Sequence, residues 1–243
     1  MDLIVFGATG RMGCKLRERI AASNGDMTLA AAVSARGGDG VLTSLRDFTG
    51  TADCVVDFSH HSATAELLNA CVERSLPVVI ATTGQTEEEC AAIRAAAEHI
   101  PVFFSANMSL GVAVLADLVR RAAALFPDAD IEIVEIHHNR KVDVPSGTAL
   151  MLGRAVQDAR PEAKLLVGRH ENGKRTREEV GIHSLRLGSE VGTHEVLIST
   201  DTETISLKHQ AHDRALFADG ALAAAAFLRG KAPGLYTMRD LIG

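Results

Sequence analysis

Leu3-Ile4-Val5-Phe6-Gly7-Ala8-Thr9-Gly10-Arg11-Met12-Gly13 passes from four apolar residues into a glycine turn, and a helical pattern follows over Arg11–Ala22. A short apolar strand, a tight turn and a helix in that order open a parallel α/β arrangement. The same alternation continues. Strands are expected at Leu29–Val33, Cys54–Phe58, Val78–Ala81 and Val102–Ser105, with helices at Ser62–Arg74 and Glu87–His99 between them. Strands that are apolar almost throughout, separated by helices, belong to a sheet covered on both faces. The expected fold class is α/β.

After Asn107 the pattern changes. A long apolar helix over about Gly111–Phe126 ends at Pro127-Asp128, and Ile131–His137 then partly alternates, as in a sheet with one buried face. Further strands are expected at Leu165–Val167, Ile182–Leu187, Glu195–Ser199 and Thr204–His209. The short polar turns between the last three suggest antiparallel neighbours. Glu171–Glu179 reads as a charged loop. The Ala-rich helix over Arg214–Leu228 is too apolar for a solvated tail, so the C-terminus is expected to return to the first domain. Residues 1–107 with 214–243 then form one domain, and 108–213 the other.

Composition narrows the function. Of 243 residues, 47% are hydrophobic and 23% charged, the proportions of a folded globular chain rather than a disordered one. With 25 Lys and Arg against 31 Asp and Glu the net charge is −6, which argues against a nucleic-acid partner held by its phosphates. No Trp and few aromatics leave no base-stacking platform. No stretch approaches the roughly 20 apolar residues of a membrane span. Leu3–Phe6 is too short for the apolar core of a secretory leader, so the cytoplasm is the expected location. The cysteines at 14, 54, 71 and 90 form no CxxC pair and read as small buried hydrophobes in a reducing compartment.

Two stretches carry chemistry. In Gly7-Ala8-Thr9-Gly10-Arg11-Met12-Gly13 the glycines allow a tight turn and close backbone approach, and helix N–H groups face the turn, an arrangement suited to a pyrophosphate. An acid about 20 residues on, at the end of the second strand, would favour NADH through a ribose hydroxyl. Here that place holds Val33-Ser34-Ala35-Arg36, and Ser34 and Arg36 suit a 2′-phosphate, with Arg11 a second positive charge. NADPH is therefore favoured, with NADH the alternative.

The second stretch is Glu135-Ile136-His137-His138-Asn139-Arg140-Lys141-Val142-Asp143-Val144-Pro145-Ser146-Gly147-Thr148-Ala149. It leaves a strand, crosses a cationic loop and enters a helix at Ser146, Gly147 and Thr148, a ready anion site. His138, Arg140 and Lys141 add charge suited to a small carboxylate-bearing substrate, and His137 and Lys141 are the candidate proton donors. Adjacent histidines on a strand point to opposite faces, and no cysteine or third histidine lies nearby at zinc spacing, so no metal is expected. His60-His61, before a helix, reads as surface or cap.

These motifs, together with Val56-Asp57-Phe58-Ser59, Ala81-Thr82-Thr83-Gly84, Ser105-Ala106-Asn107-Met108-Ser109, Leu185-Arg186-Leu187-Gly188, Val191-Gly192-Thr193-His194, Lys208-His209 with Arg214, and Gly234–Asp240, resemble the dihydrodipicolinate reductase family over essentially the whole chain. The resemblance implies a Rossmann domain interrupted by a mixed α/β substrate and oligomerisation domain, and a homotetramer built through the substrate-domain sheets. It implies NAD(P)H-dependent reduction of 4-hydroxy-tetrahydrodipicolinate, a small dicarboxylate, in lysine and diaminopimelate synthesis. On the same basis His137 is the general acid, with Lys141 its partner or the actual donor, and His138, Lys141, Ser146, Gly147 and Thr148 hold the carboxylates. Gly7, Thr9, Gly10, Arg11, Met12, Gly13, Phe58, Thr82, Thr83, Gly84, Ala106, Asn107 and Met108 would line the cofactor, with Ser34 and Arg36 at its ribose. Ala81 and Met108 depart from the family pattern of Gly and Phe, at the cofactor wall.

Three rival readings are weaker. A short-chain reductase needs Tyr-x-x-x-Lys, whereas the only tyrosine, Tyr236, is followed four residues on by Asp240. A cofactor-sensing regulator would not need His137 and Lys141 beside an anion cradle. An amino-acid dehydrogenase would share the architecture with another carboxylate ligand.

Overall fold

The computed structural model describes residues 1–243, which divide into two compact units, Met1–Leu110 with Ala215–Gly243, and Gly111–Arg214. In the first unit seven strands form one parallel sheet: β1 (Asp2–Phe6), β2 (Thr28–Val33), β3 (Val41–Leu42), β4 (Cys54–Asp57), β5 (Val78–Ile80), β6 (Pro101–Phe104) and β12 (Gly234–Tyr236), in the order β12-β6-β5-β4-β1-β2-β3. Every strand of the sequence reading is present; β3 and β12, two and three residues long, were not anticipated.

The apolar strands are covered on both faces. Ile4, Val55, Val78, Ile80 and Val102 pack with Leu67, Leu68 and Cys71 of α2 (Thr64–Glu73) and Ile93 and Ala96 of α3 (Glu87–Ala97). α1 (Arg11–Ala21) and α6 (Ala215–Leu228) pack together, and α6 lies on β4, β5 and β6. Each fully buried Leu or Ile contributes about 1.5–3 kcal/mol, so these faces dominate the unit's stability. The C-terminal helix thus belongs to the first unit. Its Gly220 is required by contact, since a Cβ there would sit 1.7 Å from the Met108 carbonyl oxygen. Cys54 and Cys71 are buried as expected, whereas Cys14 is exposed and Cys90 half-buried, because both lie off the buried helix stripes.

The second unit is a five-stranded sheet in the order β11-β10-β7-β9-β8, built from β7 (Asp130–His137), β8 (Lys164–Val167), β9 (Glu179–Arg186), β10 (Gly192–Ser199) and β11 (Thr204–Ala211). Only β10 and β11 are the expected antiparallel neighbours. β9 instead runs parallel to β7 and β8, and β7 separates it from β10. A turn as short as Leu187–Val191 can therefore step over one strand position, which turn length alone does not reveal. Helices α4 (Leu110–Leu125) and α5 (Gly147–Ala159) bury Leu115, Val119, Leu152 and Val156 against Ile131, Ile133, Ile182, Val196 and Ile198. No helix is long and apolar enough to cross a membrane.

Strand register places the chemistry. Along β7, Ile131, Ile133, Glu135 and His137 share the buried face. His194 of β10 lies opposite Glu135, and Arg186 of β9 opposite His137. An even spacing from the core isoleucines brings all four polar side chains to the end of one apolar face.

Candidate active site

In the first unit a cavity of about 560 Å³ opens beside the glycine turn, lined by Gly10, Arg11, Met12, Phe58, Thr82, Thr83, Ala106 and Met108 among others. These eight residues, expected at a cofactor wall, come together. His60 and His61 also line it, with ring centroids 4.3 Å apart. His60 caps a short 3-10 turn as read from sequence, and His61 Nδ1 lies 3.0 Å from both oxygens of Glu89. That second contact depends on a residue 28 positions away and leaves no local sequence signal.

The glycines hold strand, loop and helix in close contact. Gly7 has φ +81°, and a Cβ on it would lie 2.6 Å from the Phe58 carbonyl oxygen; one on Gly13 would lie 2.2 Å from that of Gly7. The α1 N-terminus has no side-chain cap and no acid in its first turn. An uncapped helix start facing a glycine turn fits a dinucleotide pyrophosphate. Asp57 is buried at the end of β4, where its Oδ1 accepts the Ser59 N–H at 2.8 Å and shapes this wall. Burial pushes its carboxyl up, partly offset by that bond.

The remaining expected cofactor residues stand around the cavity rather than on its wall. Thr9 and Ser34 share a 2.6 Å hydrogen bond, which ties the glycine turn to the end of β2. Arg36 is exposed beyond it. Gly84, with φ +90°, faces the His61 ring edge, and the Asn107 side chain accepts the Ser109 N–H at 2.9 Å.

In the second unit Glu135 is the hub. It is fully buried, and its carboxylate receives the His137 Nδ1 hydrogen bond, the Ser146 N–H at 3.1 Å and two guanidinium bonds from Arg186 at 2.8 and 3.0 Å. Burial alone would raise this carboxyl, but the bonds from His137 and Arg186 outweigh it and hold it well below the ordinary range. His137 Nε2 points to Gly192, where a Cβ would lie 3.0 Å away.

The His194 ring stands edge-on to that of His137, centroids 5.1 Å apart, and its Nε2 is 3.0 Å from Ser146 Oγ. Burial and the nearby His137 push His194 down to about 4, so it is neutral near pH 7. The donor atoms of Glu135, His137 and His194 lie within 4.8 Å of one another, but both Glu135 oxygens are already taken by protein donors.

Ser146 caps α5 by accepting the Ala149 N–H at 3.1 Å, and it is buried, with its own N–H on Glu135. Gly147 and Thr148 form the first two positions of α5, whose first turn carries no acid. Lys141 pairs with Asp143 at 2.8 Å, and Arg186 donates to the Asp143 carbonyl at 2.7 Å. The His138 backbone N–H is pinned to the Glu190 carbonyl at 2.8 Å. Partial burial and the charges of Arg140 and Arg214 lower its imidazole. His137, His138, Lys141, Ser146, Gly147 and Thr148 are thus neighbours along one loop. Glu135, Arg186 and His194, which complete the network, were not singled out as functional from the sequence. Their signal is the even spacing of charged residues on otherwise apolar strand faces.

Residues 1–108 match the family model "Dihydrodipicolinate reductase, N-terminus", and residues 111–242 match "Dihydrodipicolinate reductase, C-terminus". The chain is 44% identical over 245 residues to a 4-hydroxy-tetrahydrodipicolinate reductase of Caldanaerobacter subterraneus, covering 99% of this chain and 97% of the relative. It is 40% identical to one from Alkaliphilus oremlandii, covering 100% and 98%. Among solved structures, a dipicolinate-bound dihydrodipicolinate reductase from Paenisporosarcina sp. TG-14 shares the fold with TM-score 0.84 at 24% identity, covering 100% of this chain and 99% of that one. Two domain matches and full-length relatives coincide with the motifs that build both sites: the chain belongs to the dihydrodipicolinate reductase family.

Proposed function

We propose that the protein reduces 4-hydroxy-tetrahydrodipicolinate to tetrahydrodipicolinate at the expense of NAD(P)H. The observation that carries this reading is the cluster of buried Glu135 and His137 with half-buried Arg186 beside the Gly147–Thr148 helix start, in a chain whose full-length relatives bear that name. A bound nicotinamide would supply hydride. Gly10, Arg11 and Met12 would receive its pyrophosphate, with Phe58, Thr82, Thr83, Ala106 and Met108 beside the remainder.

With Nδ1 donating to Glu135, His137 in its doubly protonated form would hand the Nε2 proton to the reduced ring and be left neutral with its remaining proton on Nδ1, and Lys141 either shares that step or performs it. The Gly147 and Thr148 N–H groups, with His138 and Lys141, would hold the substrate carboxylates, and buried Ser146 would fix that helix start. Two charge-assisted contacts of roughly 1.5–3 kcal/mol each would then dominate substrate choice. Absence of an acid after β2 and the exposed Arg36 support NADPH over NADH.

Val134, Ile136, Leu185 and Leu197 on the face of the second sheet opposite α4 and α5 support a homotetramer joined there. The test is oxidation of each cofactor by wild type in the presence of substrate. Turnover with a lower KM for NADPH agrees with the reading, and tight cofactor binding without oxidation overturns it.

A further inference from the structure

We propose that Arg186 is a positioning residue for the reduction: it keeps Glu135 a hydrogen-bond acceptor, so that neutral His137 holds its proton on Nδ1 and its bare Nε2 is the atom that takes up, and in the charged ring gives up, the second proton. The inference rests on the reductase reading for its kinetic consequence, but the tautomer itself does not. The guanidinium spans the carboxylate, Nη1 on Oε2 at 3.0 Å and Nη2 on Oε1 at 2.8 Å. The same Nη2 donates to the Asp143 carbonyl at 2.7 Å, and Asp143 holds Lys141. One side chain from β9 therefore secures both candidate proton donors.

The groups facing Glu135 are His137 on its own strand, Arg186 and the Ser184 hydroxyl on β9, neutral His194 on β10 and the Ser146 N–H at α5, with Lys141 and His209 further out around His194. Arg186 is the only permanent positive charge that touches the carboxylate. Without it, a fully buried carboxyl favours its neutral form. A neutral carboxyl donates to His137 Nδ1 instead of accepting from it. The histidine proton then sits on Nε2, and a neutral ring in that state accepts nothing there. Gly192 keeps the space at Nε2 open, so the tautomer decides what that space meets.

The test uses cofactor-free full-length protein and ¹⁵N–¹H correlation spectra of the histidine rings, with His137 assigned by its loss in His137→Gln. Wild type is expected to show Nδ1 protonated and Nε2 bare in neutral His137. Arg186→Gln and, independently, Glu135→Gln are expected to move the proton to Nε2, while Arg186→Lys, which keeps the charge, retains the wild-type tautomer. In turnover, Arg186→Gln should lose roughly 100-fold in kcat with a smaller change in KM, and the acid limb of its pH profile should move upward. Retention of the Nδ1 tautomer in both glutamine variants, or an unmoved acid limb in Arg186→Gln, overturns the proposal. A tautomer shift in a protein that never turns over would overturn the reductase reading and leave the lock standing.

Discussion

Gly192→Ala places a methyl group against the reactive edge of His137. The new carbon would lie 3.0 Å from Nε2 and 3.4 Å from Cδ2. Ordinary contact needs about 3.5 Å, so the ring must retreat by about 0.5 Å. It cannot do so freely, because Nδ1 is tied to Glu135 and the His194 ring stands edge-on at 5.1 Å. Overpacking of this kind costs about 1–2 kcal/mol, a fall in melting temperature of about 2–8 °C for a chain of this size. A displacement of this size at a proton donor, with the methyl over Nε2, should reduce kcat by about 10–100-fold. Cofactor affinity should stay unchanged, since Gly192 does not line the cavity beside the glycine turn. The assays are thermal unfolding, nicotinamide oxidation and cofactor titration. A variant with wild-type kcat and melting temperature would refute the placement of Nε2 against Gly192.

Other outcomes follow from the same geometry. Folding lowers His194 from 6.5 to about 4, so its contribution is complete above pH 6.5 and is lost as pH falls toward 4, by about 3 kcal/mol at most; His194→Gln should flatten the melting temperature of the protein across that window. Ser146→Ala removes the α5 cap and the partner of His194, and should cost about 1–2 kcal/mol in urea unfolding. Gly13→Ala drives a methyl group into the Gly7 carbonyl, so cofactor binding measured by calorimetry should be lost even where the variant folds. Arg36→Ala should raise the KM for NADPH about tenfold and leave that for NADH alone; equal effects on both would remove Arg36 from the 2′-phosphate.

The parallel sheet was legible because its strands are continuous apolar runs flanked by helices, and that composition allows little else. Leu29–Val33 and Val78–Ala81 needed no partner to be recognised. β3 and β12 were not legible, since two or three residues have no period and become strands only through their neighbours. The misplaced β9 shows the limit of turn length: strand order depends on which edges remain unpaired once β7 sits in the centre of the sheet.

The site divides in the same way. The glycine turn and His137–Thr148 are local and could be read directly. Glu135 carries no local sign of its role, and Arg186 and His194 stand out in the sequence only as parts of family motifs, because their meaning comes from register. The pairing of β7 with β9 and β10 turns three scattered polar residues into one network. Ser146 illustrates the converse. Its sequence context suggests a hydroxyl open to a ligand, yet helix capping and the two buried partners engage its polar atoms within the protein.

The most direct test of the central claim is nicotinamide oxidation with substrate generated in situ from pyruvate and aspartate semialdehyde by the preceding synthase. Wild type is compared with His137→Ala and Lys141→Ala, and cofactor binding is measured in parallel. The account predicts turnover by wild type and its loss in both variants, with cofactor affinity intact. Full activity in both variants, or cofactor binding without oxidation by wild type, would contradict it.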